Sequence, residues 1–375
     1  MHTSQSAPPR GSSPLRSGPH GFGSGSWLLA LLGVLTLVLP AHVQAQRPGA
    51  TNSLTDVPGL KVGHFQRTDD GFRSGTTVIL TEEGATASVD VQGGGPGTKE
   101  TDLLAPGGLV TFAHGIVLSG GSAYGLDAAT GVMRWLEERG VGWPVNGGVV
   151  PIVPAAILFD LGRGGRFDAR PDADFGYQAA ENATVHAVPQ GSVGAGTGAR
   201  YGLGTASVVL PNGFTVAAIV GLNPGGSPVD PRTCLPYGHF LELDGEFGLT
   251  PPGPRECPAP EGELAWMDGS EGYENSFNTT IALVATDAPL DQTQAQRMAM
   301  IANSGLSRSI RPVHNLGDGD AVFAISTTRP PETLSFQELH QIYNAGADAL
   351  GRAVVHALLN QGGYCEQHPR ICAGR

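Results

Sequence analysis

The sequence predicts a mixed α/β protein built from stacked layers of sheet and helix. Short runs of consecutive apolar residues recur along the chain, as expected for strands that are covered on both faces. Three longer segments instead carry apolar residues at helical spacing. The 56 glycines and 29 prolines among 375 residues supply turns between these elements. Because a sheet and a helix must each bury an apolar face, such a mixture packs as layers.

Each element can be justified from its own residues. Seven apolar runs are predicted as strands, at 76–80, 85–92, 115–119, 206–210, 214–223, 280–286 and 320–327. Helices are predicted at 124–139, which stops at Gly140, and at 292–304, which stops at Gly305. A third helix is predicted at 336–360, since Ser335 and Glu338 have the spacing of a capping box.

The first 45 residues are predicted to be a secretory signal. The apolar run "WLLALLGVLTLVLP" at 27–40 follows a leader that contains arginines and no acidic residue. This run is shorter than the ~20 apolar residues that span a bilayer. Val43 and Ala45 occupy the small-residue positions before a cleavage point. We expect a secreted or periplasmic protein that has no membrane attachment after signal removal, with a retained anchor as the alternative.

The net charge and the cysteines limit which macromolecules and metal ions the protein is expected to bind. A net charge of −12 disfavours binding to nucleic acid. All four cysteines follow the predicted signal, and the local pairing joins Cys234 to Cys257 and Cys365 to Cys372. An oxidising compartment permits this pairing, which is one of three connectivities. Zinc binding is the alternative, but there is no CxxC pair or tight His/Cys cluster. We therefore expect disulfides and neither a metal nor another cofactor.

Two adjacent threonines, Thr279 and Thr280, stand where a polar loop meets an apolar run in "NSFNTTIALVATDAPL". The hydroxyl of Thr279 could attack the carbonyl of Asn278 and so release a new amino terminus. A free α-amine has a pKa of about 7.7 to 8.0 and could then serve as the base for its own hydroxyl. The alternatives are an ordinary strand-edge threonine and an N-x-T glycosylation acceptor at Asn278. The Gly/Pro-rich stretch at 224–276 is a loop that can be cut without loss of a core.

Several ordered motifs carry a resemblance to a known family. They are "LTDVPGLKVGHFQ" at 54–66, "GGSAYGLDAATGVMRWLEERG" at 120–140, "VPIVPAAILFDL" at 150–161, "GSVGAGTGARYGLGTAS" at 191–207 and "NTTIALVATDAPL" at 278–290. A further segment, at 294–327, contains "HNLGDGDAVFAIST". Together these motifs resemble the DmpA-type self-processing L-aminopeptidase/D-esterase family. That family includes β-peptidyl aminopeptidases and nylon-oligomer endoamidases.

The resemblance implies a four-layer αββα sandwich of the N-terminal nucleophile hydrolase type. It implies one hydrolase domain, 46–375, that cleaves itself into fragments 46–278 and 279–375 and assembles as a homo-oligomer. The implied activity is amide hydrolysis of small peptides, of the aminopeptidase type, through an acyl-enzyme. The alternatives are an endoamidase acting on non-peptide, β- or D-type amides and a non-catalytic secreted binding protein of the same fold.

The resemblance also implies roles for single residues. Thr279 matches the family nucleophile in its threonine branch. Asn223 matches an amide that donates to the oxyanion, although an asparagine before a proline is otherwise a turn residue. Asp318 and Asp320 match an acidic pair that could hold the Thr279 ammonium, orient its hydroxyl and relay protons. For these two aspartates, a solvated Asp-Gly-Asp turn is the alternative.

Three further residues are candidates for the pocket. Arg200 stands where some family members have a lysine, and Phe159 stands where several have a tyrosine. Tyr124 is a candidate pocket hydroxyl, with helix packing as the alternative. The glycine-rich stretch at 193–204 lacks the G-x-G-x-x-G spacing of a dinucleotide site and matches a family loop near the active site. The stretch at 92–104 is interpreted as a turn that lines the pocket.

Overall fold

The computed structural model describes residues 45–253, Cys257, residues 277–329 and residues 333–375. Apart from Ala45, the predicted signal falls outside the described residues, as does most of the loop directly before Phe277. No helix in the described ranges is long and apolar enough to cross a membrane.

The described residues form eleven strands and five α-helices. The strands are β1 (Lys61–Arg67), β2 (Ser74–Val91), β3 (Gly97–Lys99), β4 (Phe112–Ser119), β5 (Trp143–Val145), β6 (Gly148–Val150), β7 (Ala155–Ile157), β8 (Leu203–Val209), β9 (Thr215–Asn223), β10 (Thr279–Thr286) and β11 (Ala321–Ser326). The helices are α1 (Ala128–Glu137), α2 (Ala173–Glu181), α3 (Gln292–Ser309), α4 (Phe336–Asn360) and α5 (Tyr364–Gln367).

The long strand β2 joins two halves of a nine-stranded sheet, whose order is β3-β7-β4-β2-β11-β10-β9-β8, with β1 also paired to β2. Strand β2 has 18 residues. Its first part pairs with β1 and β4, and its second part pairs with β11. A register shift lies between Leu80 and Ala85. The two predicted strands at 76–80 and 85–92 are thus parts of one strand, and the register shift falls in the polar residues between them.

Three apolar clusters separate four layers. Ile79 of one half-sheet and Leu283 of the other belong to the cluster between the two halves. Val284, on the opposite face of β10, packs with α3 and α4. Val78, on the opposite face of β2, packs with α1 and α2. The order helix, sheet, sheet, helix is the four-layer sandwich that the resemblance predicted.

Two predicted helices have different bounds in the structure. The predicted helix at 124–139 begins later, since Ser122–Asp127 form a 3₁₀ turn ahead of α1. The predicted stop at Gly305 is wrong, because α3 continues to Ser309. A Cβ atom at Gly305 would lie 2.1 Å from the carbonyl oxygen of Ala347. This glycine therefore allows α3 and α4 to pack closely and does not end the helix.

Two disulfides are formed, between Cys234 and Cys257 and between Cys365 and Cys372. The first lies within the predicted fragment 46–278 and the second within 279–375. Neither disulfide joins the two predicted fragments. Contacts group residues 43–375 into one unit, and its division after Asn278 stays a prediction.

Candidate active site

Thr279 is the first residue of β10, between β9 and β11, and is 3% exposed. Because side chains alternate along a strand, Thr279 shares the inter-sheet face with Ile281, whereas Thr280 faces the helices. The Thr279 hydroxyl donates a hydrogen bond to the carbonyl oxygen of Asn278. The buried Thr280 hydroxyl has no hydrogen-bond partner among the described residues. Of the two threonines, Thr279 is therefore the one whose hydroxyl contacts the preceding peptide bond.

The backbone around Asn278 is held by the loop between α3 and β11. The amide of Asn278 donates to the Gly317 carbonyl oxygen at 3.2 Å, and the amide of Gly319 donates to the Asn278 carbonyl oxygen at 3.2 Å. Asn278 itself is 8% exposed. An N–H that already contacts a carbonyl oxygen can also stabilise the negative charge that forms there during attack. The Asn278–Thr279 peptide is thus fixed and polarised.

Asp318 is a buried carboxylate, 1% exposed. One oxygen accepts from the Gly225 amide at 3.0 Å. The other accepts from the backbone and side-chain nitrogens of Asn315, each at 2.9 Å. Burial, and secondarily the charge of Asp320, raises the pKa of Asp318 despite these hydrogen bonds. The raised pKa makes Asp318 a better proton acceptor than an ordinary carboxylate.

Asp320 is fully buried and holds the start of β10. It accepts from the Thr280 amide at 2.6 Å and from His314 Nδ1 at 2.8 Å. A Cβ atom at Gly319, between the two aspartates, would lie 3.0 Å from the Thr279 hydroxyl oxygen. The acidic pair is therefore buried beside Thr279, which excludes the solvated-turn alternative. Its contact with a Thr279 ammonium stays a prediction.

Asn223 ends β9 and pairs with Thr279 across the sheet. Its side-chain nitrogen donates to the Phe159 carbonyl oxygen at 2.9 Å, and its side-chain oxygen accepts from Arg163 and from the Arg200 amide. The structure thus brings Asn223 to the predicted site. In the uncut chain, however, the N–H on the Asn278 carbonyl oxygen belongs to Gly319, so the oxyanion role of Asn223 stays a prediction.

Arg163 was not predicted from the sequence. It lies in the loop after β7, and one guanidinium nitrogen donates to the carbonyl oxygen of Phe277 at 2.8 Å and to Oδ1 of Asn278 at 2.7 Å. Burial lowers its pKa, and Asp160 is the nearby acid that opposes this effect. Arg163 therefore binds both residues that precede the predicted cut.

Comparisons with known proteins identify the family. A family model described as peptidase family S58 matches residues 52–363. The chain belongs to this family. An aminopeptidase of Mycobacterium bovis, named as uncharacterized, is 46% identical over 331 residues, which cover 82% of this chain and 94% of the relative. A 6-aminohexanoate-oligomer endohydrolase of Kocuria sp. is 29% identical over 72% of this chain and 74% of its own length.

Solved structures share the fold of this S58 peptidase. An L-aminopeptidase D-Ala-esterase/amidase from Ochrobactrum anthropi, described as a variant of the Ntn hydrolase fold, matches with a TM-score of 0.64 and 22% identity, over 86% of this chain and 96% of its own. A β-aminopeptidase from Burkholderia sp. matches with a TM-score of 0.63 and 22% identity, over 88% and 96%. The predicted Ntn-type fold is confirmed, and the S58 peptidase is a hydrolase acting on amide or peptide bonds.

The other candidate pocket residues of the S58 peptidase differ in their positions. The Phe159 ring packs against the Phe277 ring, with centroids 5.6 Å apart, so an aromatic surface stands at the predicted cut. Arg200 contacts Asn223 through its backbone amide, and its side chain is exposed. Tyr124 is 51% exposed, and its ring lies beneath the Arg170 guanidinium. Phe159 and Arg200 thus contact residues beside the predicted cut, whereas the Tyr124 ring contacts Arg170, and the pocket roles of all three stay predictions.

The predicted pocket turn that begins at Gln92 supports the acidic pair. The Gly93 amide donates to the Asp320 carbonyl oxygen at 3.2 Å, and the Gly95 amide donates to the Asp318 carbonyl oxygen at 2.8 Å. A Cβ atom at Gly93 would lie 2.3 Å from the Asp318 carbonyl oxygen, so only glycine fits there. No group of three or more His, Cys, Asp or Glu side chains in the described ranges could hold a metal ion.

Proposed function

We propose that this S58 peptidase is an exported hydrolase that cleaves itself before Thr279 and then uses Thr279 as an amino-terminal nucleophile. The observation that carries the proposal is the contact of the Thr279 hydroxyl with the carbonyl group of Asn278. In self-cleavage, the hydroxyl oxygen adds to that carbonyl carbon, the C–N bond breaks, and the hydroxyl proton ends on the leaving nitrogen. Water then hydrolyses the ester and leaves a carboxylate on Asn278 and a free α-amine on Thr279.

The same oxygen attacks the substrate in the mature enzyme. The Thr279 α-amine, with an ordinary pKa near neutral, takes the hydroxyl proton as the oxygen adds to the substrate carbonyl. That proton passes to the leaving amine, and an acyl-enzyme forms on Thr279. Water then attacks this ester and restores the threonine. The acidic pair, Asp318 and Asp320, orients the amine and takes part in these proton transfers.

We propose small peptides as substrates, cleaved at the amino terminus. The aminopeptidase name of the Mycobacterium bovis relative supports this substrate class. One contact favours an endoamidase as the second candidate, since Arg163 donates to the Phe277 carbonyl oxygen at 2.8 Å. That carbonyl belongs to the residue before the acyl residue, which an internal amide has and an amino-terminal residue lacks.

Export through a signal that ends at Ala45 and assembly into a homo-oligomer are further parts of the proposal. The two disulfides support export, because such bonds persist in oxidising compartments. Mass spectrometry of protein recovered from the exported fraction should give an amino terminus at Gln46. Retention of the leader in that fraction would contradict signal removal.

The central experiment is gel electrophoresis of purified protein with amino-terminal sequencing of the smaller band. We expect a band that begins Thr-Thr-Ile-Ala, and Thr279→Ala should run as one uncut, inactive chain. Turnover of L-alanyl, D-alanyl and β-alanyl anilides, and of amino-blocked amides, should separate an aminopeptidase from an endoamidase. Full activity from an unbroken chain would refute the proposal. A cleaved preparation that turned over none of these amides would favour the binding protein.

A further inference from the structure

We infer that Arg163 selects the acyl residue of the substrate, and that the enzyme prefers aspartyl amides, followed by asparaginyl amides, over amides of apolar residues. The inference rests on the proposed function, because it treats self-cleavage as the first acyl transfer of the same nucleophile.

The uncut chain already contains an acyl residue in place. In self-cleavage the carbonyl carbon of Asn278 is attacked by the Thr279 hydroxyl oxygen. A substrate carbonyl must later lie beside the same oxygen, so the acyl residue of the substrate takes the position of Asn278. The contacts of Asn278 therefore outline the acyl site: the Gly317 carbonyl oxygen at its amide, the Gly319 amide at its carbonyl oxygen and Arg163 at its side chain.

The side chain of Asn278 accepts a hydrogen bond from the positively charged guanidinium of Arg163. Arg163 donates to its Oδ1 at 2.7 Å, and the other described acceptors of the guanidinium are Oδ1 of Asn223 and the Phe277 carbonyl oxygen. All three are neutral amide oxygens. Among the described residues, no carboxylate oxygen lies within 4.0 Å of an Arg163 nitrogen. The charge of Asp160 acts on Arg163 and raises its pKa, but the Asp160 carboxylate accepts hydrogen bonds from the Ser74 hydroxyl and the Gly121 amide instead.

Departure of Phe277 and Asn278 from the site would leave the half-buried guanidinium with one of its three acceptors, Asn223. A cation removed from water is stabilised most by a hydrogen-bonded anion. An aspartyl side chain has the length of the Asn278 side chain and supplies that anion, whereas an asparaginyl side chain supplies a neutral oxygen. A leucyl side chain of similar size supplies no acceptor and would leave the guanidinium with the neutral Asn223 oxygen alone.

The test compares kcat/KM for aspartyl, asparaginyl and leucyl p-nitroanilides with the processed enzyme. We expect the aspartyl-to-leucyl ratio to exceed one and to fall roughly 10- to 100-fold in Arg163→Met, which removes a charge-assisted hydrogen bond. Arg163→Lys should keep part of the preference. The ratio is measured within one preparation, so it does not depend on the fraction of enzyme that has processed. Arg166→Met is the matched control, since this exposed arginine of the same loop pairs with Asp168.

A second arm needs no folded Arg163 variant. The rate at which freshly purified precursor cuts itself should fall roughly 10- to 100-fold in Asn278→Leu and should be retained in Asn278→Asp. Equal or faster turnover of the leucyl substrate, or an unchanged ratio in processed Arg163→Met, would overturn the inference while threonine-dependent cleavage stood. Absence of any cut before Thr279 would instead refute the proposed function.

Discussion

Replacing Glu246 with glutamine should destabilise the protein by roughly 3 kcal/mol at pH 6. Glu246 belongs to the predicted fragment 46–278, whereas its partners Arg352 and His356 lie on α4 in fragment 279–375. Its carboxylate accepts from Arg352 Nη2 at 2.6 Å and from His356 Nε2 at 2.9 Å. The Glu246 and Arg352 side chains are 7% and 1% exposed. Since neither disulfide joins the fragments, this buried ion cluster is one of the contacts that hold them together.

The magnitude follows from the pKa of Glu246. Burial alone would raise this pKa, but hydrogen bonds from Arg352 and His356 outweigh burial and lower the pKa from 4.5 to about 2. A tenfold change in proton affinity corresponds to about 1.4 kcal/mol, so the ionised carboxylate contributes roughly 3 kcal/mol. Because the folded-state pKa is the lower one, this contribution is complete above pH 4.5 and is lost as the pH falls through about 2.

The assay is urea unfolding in a Thr279→Ala background, where the chain stays uncut and unfolding involves one molecule. The difference in unfolding free energy between the parent and Glu246→Gln should shrink from roughly 3 kcal/mol at pH 6 to roughly 1 kcal/mol at pH 3. Glu82→Gln, which breaks an exposed pair with Lys61, should cost less than about 1 kcal/mol at either pH. A Glu246→Gln difference that is small at pH 6, or unchanged at pH 3, would refute the reasoning.

Four other outcomes are expected. Processed protein should give two bands in denaturing electrophoresis without reductant, since each disulfide lies within one fragment; a single band would contradict this. Gly319→Ala should slow self-cleavage roughly 10- to 100-fold in a mass-spectrometric time course, because its Cβ would lie 3.0 Å from the Thr279 hydroxyl oxygen. Thr280→Val should still cleave and should raise the unfolding free energy by about 1 kcal/mol, since the lost hydroxyl is buried without a described partner. As the pH falls below the pKa of the Thr279 α-amine, hydrolysis should slow, and a second fall should follow at a higher pH than an ordinary carboxylate would give, because burial raises the pKa of Asp318; Asp318→Asn should remove this second fall from the pH–rate profile.

The strands and helices with strong patterns could be predicted because their residues alone determine which faces are apolar. The predicted helix at 336–360 has the bounds of α4, since its capping box fixes one end. The two helix-stopping glycines show where such reasoning fails. Gly140 adopts a positive φ of 69° shortly after α1 ends, as the prediction supposed. Gly305 instead lies within α3, where the absence of a side chain lets α4 pack closely against it, and the local sequence pattern gives no sign of that contact.

The difference between local sequence pattern and contacts made by tertiary packing also explains which site residues could be predicted from the sequence. Thr279 is marked by its neighbours, because a polar loop and an apolar strand meet at that residue. Arg163 is separated from Asn278 by 115 positions along the chain, and only the packing of the loop after β7 brings the two together. Its setting in "LGRGGRF" has no spacing that indicates a role. A glycine-flanked arginine next to a family motif was the available signal.

Under the proposed mechanism, the contacts that Asn278 makes in the precursor indicate which acyl residues the mature enzyme prefers. A nucleophile that begins a central strand of the sandwich has little freedom to move, so the carbonyl it attacks first and those it attacks later must occupy one place. Mutations around Asn278 should therefore change self-cleavage and substrate preference in the same direction. This coupling would not exist if a different group carried out the cut, because the acyl site would then be formed only after the chain had opened.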